Sequence, residues 1–142
     1  IPGFNLRATD LQAFLGLRQI EKANWAASSR NKNHCRYAEN LWGHVDYQRW
    51  HADYPVSISF GALAEDNEHR KKIVTRLVEC GIETRIFSAG NLGAHPFWTN
   101  LYGRFEDKVS DKIHSCGFFL PNYPELELDE VDYISNVVRG VK

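Results

Sequence analysis

The sequence predicts an α+β fold in which two N-terminal helices are followed by a small sheet covered by helices. Two long helical segments come first, and short segments with strand character then alternate with further helical segments. A chain of 142 residues is long enough to bury a sizeable core in one domain. This order of elements favours a small sheet packed against helices.

The two leading helices are predicted from their ends and from their apolar residues. Thr9 and Asp10 supply helix-capping side chains, so we expect the first helix at residues 11–22. Its apolar residues cover more than one narrow stripe, which predicts packing on several sides. A second, more polar helix is expected at residues 24–42, before Gly43. Its predicted buried positions are Trp25, Ala38, Leu41 and Trp42.

The remaining elements alternate between strand and helix. The predicted strands are residues 56–60, which alternate, residues 82–87, which are rich in β-branched side chains, and residues 118–120, which end at Pro121. The predicted helices are residues 66–79, residues 107–114 and a final helix that begins at Asp129. In the first of these, the inward positions are Ile73, Val74, Leu77 and Val78. Residues 88–98 read as a polar, glycine-rich loop, which is more typical of a ligand-facing segment than of a connector.

Charge and cysteine content exclude several classes of partner. The formal net charge is -1, so neither nucleic acid nor an anionic membrane is expected as a partner. No apolar run approaches the ~20 residues that a membrane span needs. The three cysteines are far apart and odd in number, which argues against a disulfide framework. They predict a reducing compartment, and hence a cytoplasmic protein.

Known catalytic and metal-binding patterns are missing from the sequence. The six histidines are scattered and none has a recognised ligand spacing, so no metal site is predicted. No nucleophile elbow, phosphate-binding lysine loop or dinucleotide fingerprint occurs. We therefore assign no catalytic residue within this chain.

The first of two candidate binding segments is the opening of the chain. Asn5 and Arg7 alternate with Phe4 and Leu6, so on an extended backbone the amide and the guanidinium face the same side. Together they suit a phosphate or a carboxylate. The alternative is an interface hydrogen bond beside a solvated arginine.

The second candidate segment runs from Arg85 to Trp98. Arg85, Asn91 and His95 supply hydrogen-bond donors, and Phe97 and Trp98 supply flat apolar faces. This mixture suits a sugar or a nucleotide, whose hydroxyls and phosphates take the donors while its ring faces take the aromatics. The alternative is an aromatic cluster that only completes the core.

Several motifs resemble the DegT-type family of pyridoxal-phosphate (PLP) enzymes that act on nucleotide sugars. The opening residues GFNLRATDLQAFLGLRQIEK are similar to the family pattern, with Phe4 in place of the usual tyrosine. The matching positions are Gly3, Asn5, Arg7, Thr9, Asp10, Gln12 and Ala13. Residues 81–85 and 120–124 resemble the family's small C-terminal domain. Residues 88–92, SAGNL, resemble the 3-dehydratase branch, whereas sugar aminotransferases usually carry Pro-Leu-His here.

The resemblance implies the C-terminal part of a fold type I PLP enzyme that is inactive alone. Residues 1–43 would link to a missing large domain and to the dimer interface, and residues 44–142 would form the small domain. Asn5, with Arg7 close by, would reach the cofactor phosphate of the partner subunit in a homodimer. Arg85, Asn91, His95, Phe97 and Trp98 would flank a nucleotide-linked hexose. The catalytic lysine or histidine would lie upstream of Ile1, so no PLP or its amine form, PMP, is expected to bind tightly to this chain alone.

The implied reaction removes the C3 hydroxyl of a 4-keto-6-deoxyhexose during deoxysugar and O-antigen synthesis. Two alternatives stay open. One is a sugar aminotransferase of the same family. The other is a non-catalytic binding or assembly module that reuses the small-domain fold.

Overall fold

A computed structural model describes residues 9–48 and 54–141. The α+β class is confirmed over these residues, which form helices around a four-stranded sheet. The helices are α1 (Asp10–Ile20), α2 (Ala23–Leu41), α3 (Asn67–Glu79), α4 (Pro96–Tyr102), α5 (Lys108–Cys116) and α6 (Leu128–Arg139). The strands are β1 (Asp46–Tyr47), β2 (Ser59–Leu63), β3 (Arg85–Ile86) and β4 (Gly117–Pro121). Asn5 and Arg7 lie outside the described residues.

The sheet is antiparallel throughout, with the strand order β1-β2-β4-β3. The register pairs Phe60 with Leu120 and Arg85 with Phe119. Successive side chains of a strand point to opposite faces, so each strand contributes to both faces of the sheet.

One face of the sheet carries the core. Phe60 and Ala62 of β2 and Phe118 and Leu120 of β4 are almost fully buried on this face. Helices α2, α3 and α6 supply the other side of the core, and α6 contacts both α2 and α3. The helical core residues are Tyr37, Leu41, Ile73, Leu77, Val131, Ile134 and Val138. Their burial removes apolar area from water, the main favourable term in folding.

The second face of the sheet is occupied by Phe87. Its ring stacks on that of Phe119, with centroids 4.5 Å apart. A Cβ at Gly61 would lie 2.4 Å from the Phe87 ring, and a Cβ at Gly117 would lie 2.5 Å from the Phe87 Cβ. The two glycines therefore create the space in which Phe87 anchors the start of the glycine-rich segment.

Helix α1 begins as the sequence predicts but buries nothing within the described residues. Thr9 and Gln12 form a reciprocal capping box, with bonds of 3.3 and 3.0 Å. Every residue of α1 is exposed. Its exposed apolar side chains are Leu11, Phe14, Leu15, Leu17 and Ile20. The predicted packing on several sides is not provided by this part of the chain.

Three predicted core positions are wrong. Trp25 is 48% exposed, Trp42 is 64% exposed and Val78 is 63% exposed. The buried residues of α2 lie between positions 33 and 41, so Trp25, about two turns earlier, and Trp42, at the C-cap, fall outside them. Val78 follows the buried Leu77 directly, and adjacent residues on a helix point about 100° apart.

Two predicted strands and the predicted loop have different bounds in the structure. The strand expected at 56–60 begins at Ser59, where pairing with Pro121 starts, and Ile58 is 81% exposed. The strand expected at 82–87 shortens to β3, because the Ile82 backbone N–H donates to Leu77 at the end of α3. Residues 88–98 contain a 3-10 turn, Leu92–Ala94, and the start of α4.

Candidate functional site

The 88–95 loop, which follows β3, is held against α5 by close contacts and hydrogen bonds. Gly90 has φ +62° and lies directly over His114. A Cβ at Gly90 would come within 2.2 Å of His114 Nδ1, so the loop lies flat against α5 only with glycine here.

Asn91 organises this loop from within. The residue is 3% exposed, and its side-chain amide donates to the Phe105 carbonyl at 3.0 Å and to Asp111 Oδ1 at 2.8 Å. Its side-chain oxygen accepts from the Gly93 N–H at 2.8 Å. Its backbone N–H donates to His114 Nδ1 at 3.2 Å. Asn91 thus satisfies its hydrogen bonds inside the protein, and its predicted contact with a sugar nucleotide stays a prediction.

The carboxylate of Asp111 receives several donors besides Asn91. The Asp107 backbone N–H donates to Oδ2 at 3.2 Å, and Arg104 lies 3.4 Å from Oδ1. The hydrogen bond from Asn91 lowers the pKa of Asp111, and the bond from Asp107 and the charge of Arg104 act in the same direction. Asp111 is therefore an ionised acceptor at neutral pH. Sequence reasoning missed Asp111 and His114, because both lie on a separate helix with no motif of their own.

His95, Phe97 and Trp98 lie where the loop meets α4. His95 Nε2 donates to the Ala89 carbonyl at 2.7 Å, which fixes the ring against the loop. The His95 ring lies 6.1 Å from the Phe97 ring and 6.1 Å from the His114 ring. Phe97 is 61% exposed and Trp98 is 38% exposed. Helix α4 therefore presents aromatic faces to its surroundings, which an aromatic cluster that completes the core would bury.

Arg85 is exposed on β3, and its side chain forms an ion pair with Glu83. Nε and Nη2 lie 3.1 and 2.9 Å from one carboxylate oxygen of Glu83. Because both side chains are exposed, this pair holds the guanidinium only weakly. Arg85 is thus available to an anionic ligand.

A cavity of about 540 Å³ lies at the opposite end of β3 from the loop. It opens between the β3–β4 end of the sheet and α6, and its walls include Arg85, Cys80, Glu130 and Tyr133. Of the predicted substrate-binding residues, Arg85 lines this cavity, whereas Asn91, His95, Phe97 and Trp98 do not. The predicted binding residues therefore lie in two places: Arg85 is at the cavity, and the other four are on the 88–95 loop and α4.

Within residues 9–48 and 54–141, no group of three or more histidine, cysteine or acidic side chains is arranged to hold a metal ion. Across the same residues, no helix combines the length and the apolar character needed to cross a membrane.

The sequence model of the DegT/DnrJ/EryC1/StrS aminotransferase family matches residues 1–139. The chain belongs to this family. The DegT-type resemblance of the opening and C-terminal motifs is thereby confirmed.

Curated relatives in the family carry several names. A dTDP-4-dehydro-2,6-dideoxy-D-glucose 3-dehydratase of Saccharopolyspora spinosa is 30% identical over 93% of this chain and 30% of its own length. The lipopolysaccharide biosynthesis protein RfbH of Salmonella typhimurium is 27% identical over 93% of this chain and 32% of its own. A GDP-perosamine synthase of Escherichia coli is 26% identical over 96% and 37%, respectively. The chain thus spans about a third of the length of these relatives.

Solved structures in the DegT family share the fold. A GDP-4-keto-6-deoxymannose-3-dehydratase mutant with bound GDP-perosamine has a TM-score of 0.80 at 23% identity, covering 97% of this chain and 37% of that one. A DegT DnrJ EryC1 StrS aminotransferase from Brucella abortus has a TM-score of 0.83 at 23% identity, with the same coverage. At this identity the likeness shows the fold alone.

Proposed function

We propose that this chain is the C-terminal portion of a PLP- or PMP-dependent enzyme that removes the C3 hydroxyl of a nucleotide-linked 4-keto-6-deoxyhexose. The observation that carries the proposal is the hydrogen-bonded 88–95 loop of a DegT-family chain, which ends at His95 beside the exposed aromatic side chains Phe97 and Trp98 of α4. We further propose that the enzyme is a cytoplasmic homodimer of deoxysugar and O-antigen synthesis.

The side chains around the loop, together with Arg85 at the cavity beside β3, suit the parts of a sugar nucleotide. The exposed faces of Phe97 and Trp98 can stack on a base or on the apolar face of a sugar. His95 is held in one orientation, so it can meet a hydroxyl without first losing rotamer freedom. Arg85 can exchange its exposed partner Glu83 for a phosphate, which a guanidinium binds through two parallel bonds.

The choice of dehydration over amino transfer rests on residues 88–92. The run SAGNL needs glycine at position 90 and an inward asparagine at position 91 for the observed loop. Pro-Leu-His, the usual aminotransferase element, would leave the bonds of Asn91 unmade. The relative named as a 3-dehydratase supports this branch, and the relative named as a GDP-perosamine synthase keeps amino transfer as the alternative.

We propose that the cofactor is not held by this chain alone. Lys22, Lys32, Lys71, Lys72, Lys108 and Lys112 are all exposed, and none lines the cavity beside β3. When bound in a family enzyme, the cofactor supplies the amine that condenses with the keto sugar and the ring that takes up electrons. We propose that this chemistry is housed by sequence outside this chain, with Asn5 and Arg7 reaching the cofactor phosphate across the dimer.

The division of the chain into residues 1–43 and 44–142 is refined in this proposal. Helix α2 contributes Tyr37 and Leu41 to the core and contacts α6, so it is part of the small domain. Helix α1 buries none of its residues within the described chain. We therefore propose that the boundary lies at residues 21–22, and that α1 alone serves the large domain and the second subunit.

The decisive experiment identifies the product formed by the full-length protein that contains this chain. The protein, supplied with PMP and glutamate, is incubated with GDP- and dTDP-linked 4-keto-6-deoxyhexoses, and products are identified by mass spectrometry. Dehydration gives a 4-keto sugar with one oxygen atom fewer, whereas amino transfer replaces the keto oxygen by an amino group. The first product supports the proposal and the second supports the aminotransferase. If the cofactor-loaded protein forms neither product, both the dehydratase and the aminotransferase assignments are contradicted.

A non-catalytic assembly module remains the second candidate function, and the exposed apolar surface of α1 favours it. Such a surface suits a protein partner as well as it suits a missing domain. A gene whose product starts next to Ile1 and whose protein forms a stable complex without turnover would support the module. A longer product that turns over a sugar nucleotide would eliminate it.

A further inference from the structure

Two side chains of α5 hold the 88–95 loop from one side. Asp111 accepts from the Asn91 side-chain amide at 2.8 Å, and His114 Nδ1 accepts from the Asn91 backbone N–H at 3.2 Å. Both bonds end on the same loop residue, so a shift of the loop away from α5 breaks at least one of them. Because α5 runs directly into the sheet strand β4, these bonds tie the loop to the core of the domain.

The geometry points to Asp111 and His114 as positioning residues, which act through Asn91 to hold His95 and the aromatic side chains of α4 in place for the nucleotide sugar. This inference rests on the proposed function. Neither α5 residue touches the substrate in this scheme; each acts on the loop that does.

The carboxylate of Asp111 is also oriented by a hydrogen bond that does not involve Asn91. Its Oδ2 accepts from the Asp107 backbone N–H at 3.2 Å, so the first turn of α5 sets the orientation of the carboxylate. Its Oδ1 then faces Asn91, whose own oxygen accepts from Gly93 at 2.8 Å. The result is a continuous series of hydrogen bonds from the helix to the middle of the loop, in which the charged member gives the strongest bond.

His114 controls the neighbouring turn. It lies under Gly90, where no side chain fits, and its Nδ1 must be unprotonated to accept from Asn91. The residue before Gly90 is Ala89, whose carbonyl accepts from His95 Nε2 at 2.7 Å. A change at His114 therefore moves the Ala89 carbonyl that orients His95. We infer that His114 acts on the ligand through His95.

The kinetic test uses three variants of the full-length protein loaded with its cofactor. Asp111→Ala removes the acceptor, and we expect KM for the nucleotide sugar to rise about tenfold while kcat changes little, since a charge-assisted bond of this kind is lost. Asp111→Asn keeps an acceptor oxygen and is expected to recover most of the affinity. The matched control is Lys112→Ala, the next residue on α5, whose ammonium lies 3.5 Å from Asp46 and makes no bond to the loop; it is expected to leave KM unchanged.

A second measurement tests the positioning without turnover. Amide hydrogen exchange of the segment 88–98 is followed by mass spectrometry in the wild type, His114→Ala, Asp111→Ala and the control Lys112→Ala. Faster exchange of this segment in His114→Ala and Asp111→Ala but not in Lys112→Ala supports the inference. His114→Asn, which retains an acceptor near the Nδ1 position, should restore slow exchange.

Several results would overturn the inference. Equal KM values for Asp111→Ala and the wild type in an active enzyme would show that the loop needs no support from α5, while the proposed function would stand. Unchanged hydrogen exchange of residues 88–98 in both His114→Ala and Asp111→Ala would also show that the loop needs no support from α5. If the wild type forms no sugar product, the proposed function fails, and the exchange data still decide whether α5 holds the loop.

Discussion

Single atoms decide the packing on the second face of the sheet, and Gly117 is the clearest case. An added Cβ there would lie 2.5 Å from the Ile113 carbonyl oxygen and 2.5 Å from the Phe87 Cβ. The first of these neighbours is backbone, so it cannot rotate away. The second carries the aromatic ring that anchors the start of the 88–95 loop.

We therefore expect Gly117→Ala to lower the free energy of unfolding by about 1–3 kcal/mol through overpacking. The matched control is Gly16→Ala in α1, where an added Cβ would meet no atom within 4 Å. That change is expected to be neutral or to stabilise the helix slightly. Chemical denaturation of both variants measures the difference, and equal unfolding free energies for the two would contradict the packing described for Phe87.

At the scale of elements, α2 and α6 are joined by hydrogen bonds among Arg36, Asn40 and Asp132, which we call the charged clamp. Arg36 donates to both oxygens of Asp132, at 2.6 and 2.7 Å, and Asn40 donates to one of them at 2.7 Å. The bonds from Arg36, followed by the bond from Asn40, lower the pKa of Asp132 to about 2. The clamp joins two of the three helices that cover the core face of the sheet.

The lowered pKa predicts an acid-sensitive contribution to stability. Because the folded-state pKa lies below the unfolded value of about 3.9, the contribution is present above about pH 4 and is lost as pH falls towards 2. Asp132→Asn should be less stable than the wild type at neutral pH, and the gap should narrow between about pH 4 and pH 2. Thermal unfolding across this range tests the sign, with the exposed Glu125→Gln as a control that keeps the wild-type profile. A gap that widens on acidification would refute the clamp.

At the scale of the molecule, α1 stands apart from the rest of the described chain. Its apolar side chains are 53–71% exposed, although its capping box is complete. An isolated helix of this length is marginal in water, so a partner surface is needed to hold it. In the proposed enzyme that surface belongs to the large domain and the second subunit.

Leu17→Glu separates the two roles of α1. Leu17 is 67% exposed, so we expect the unfolding free energy of this 142-residue chain to change by less than about 0.5 kcal/mol. In the full-length protein the same change places a charge in an apolar contact and should weaken dimerisation, as measured by analytical ultracentrifugation. Glu21→Gln, at an exposed position just beyond α1, is the control for a general effect of altered charge. A full-length Leu17→Glu dimer as stable as the wild type would show that α1 has another partner.

The sequence by itself determined the elements whose causes are local. The N-caps at Thr9, Asp66 and Asp107 and the short apolar run of β4 that ends at Pro121 depend on residues a few positions apart, so their helices and strand lie close to where they were predicted. The family resemblance has the same basis, because its motifs are contiguous runs of residues. The substrate, cofactor and dimer assignments that it implies stay predictions for the full-length protein.

Tertiary structure alone decided the features that depend on distant partners. The strand bounds follow from the register of β2 and β3 on β4, which no local pattern specifies. The inward orientation of Asn91 required Asp111, 20 residues further along the chain, and the cavity required α6 to meet the end of β3. In each case the deciding free energy comes from contacts between segments far apart in sequence, which become visible only when the chain is folded.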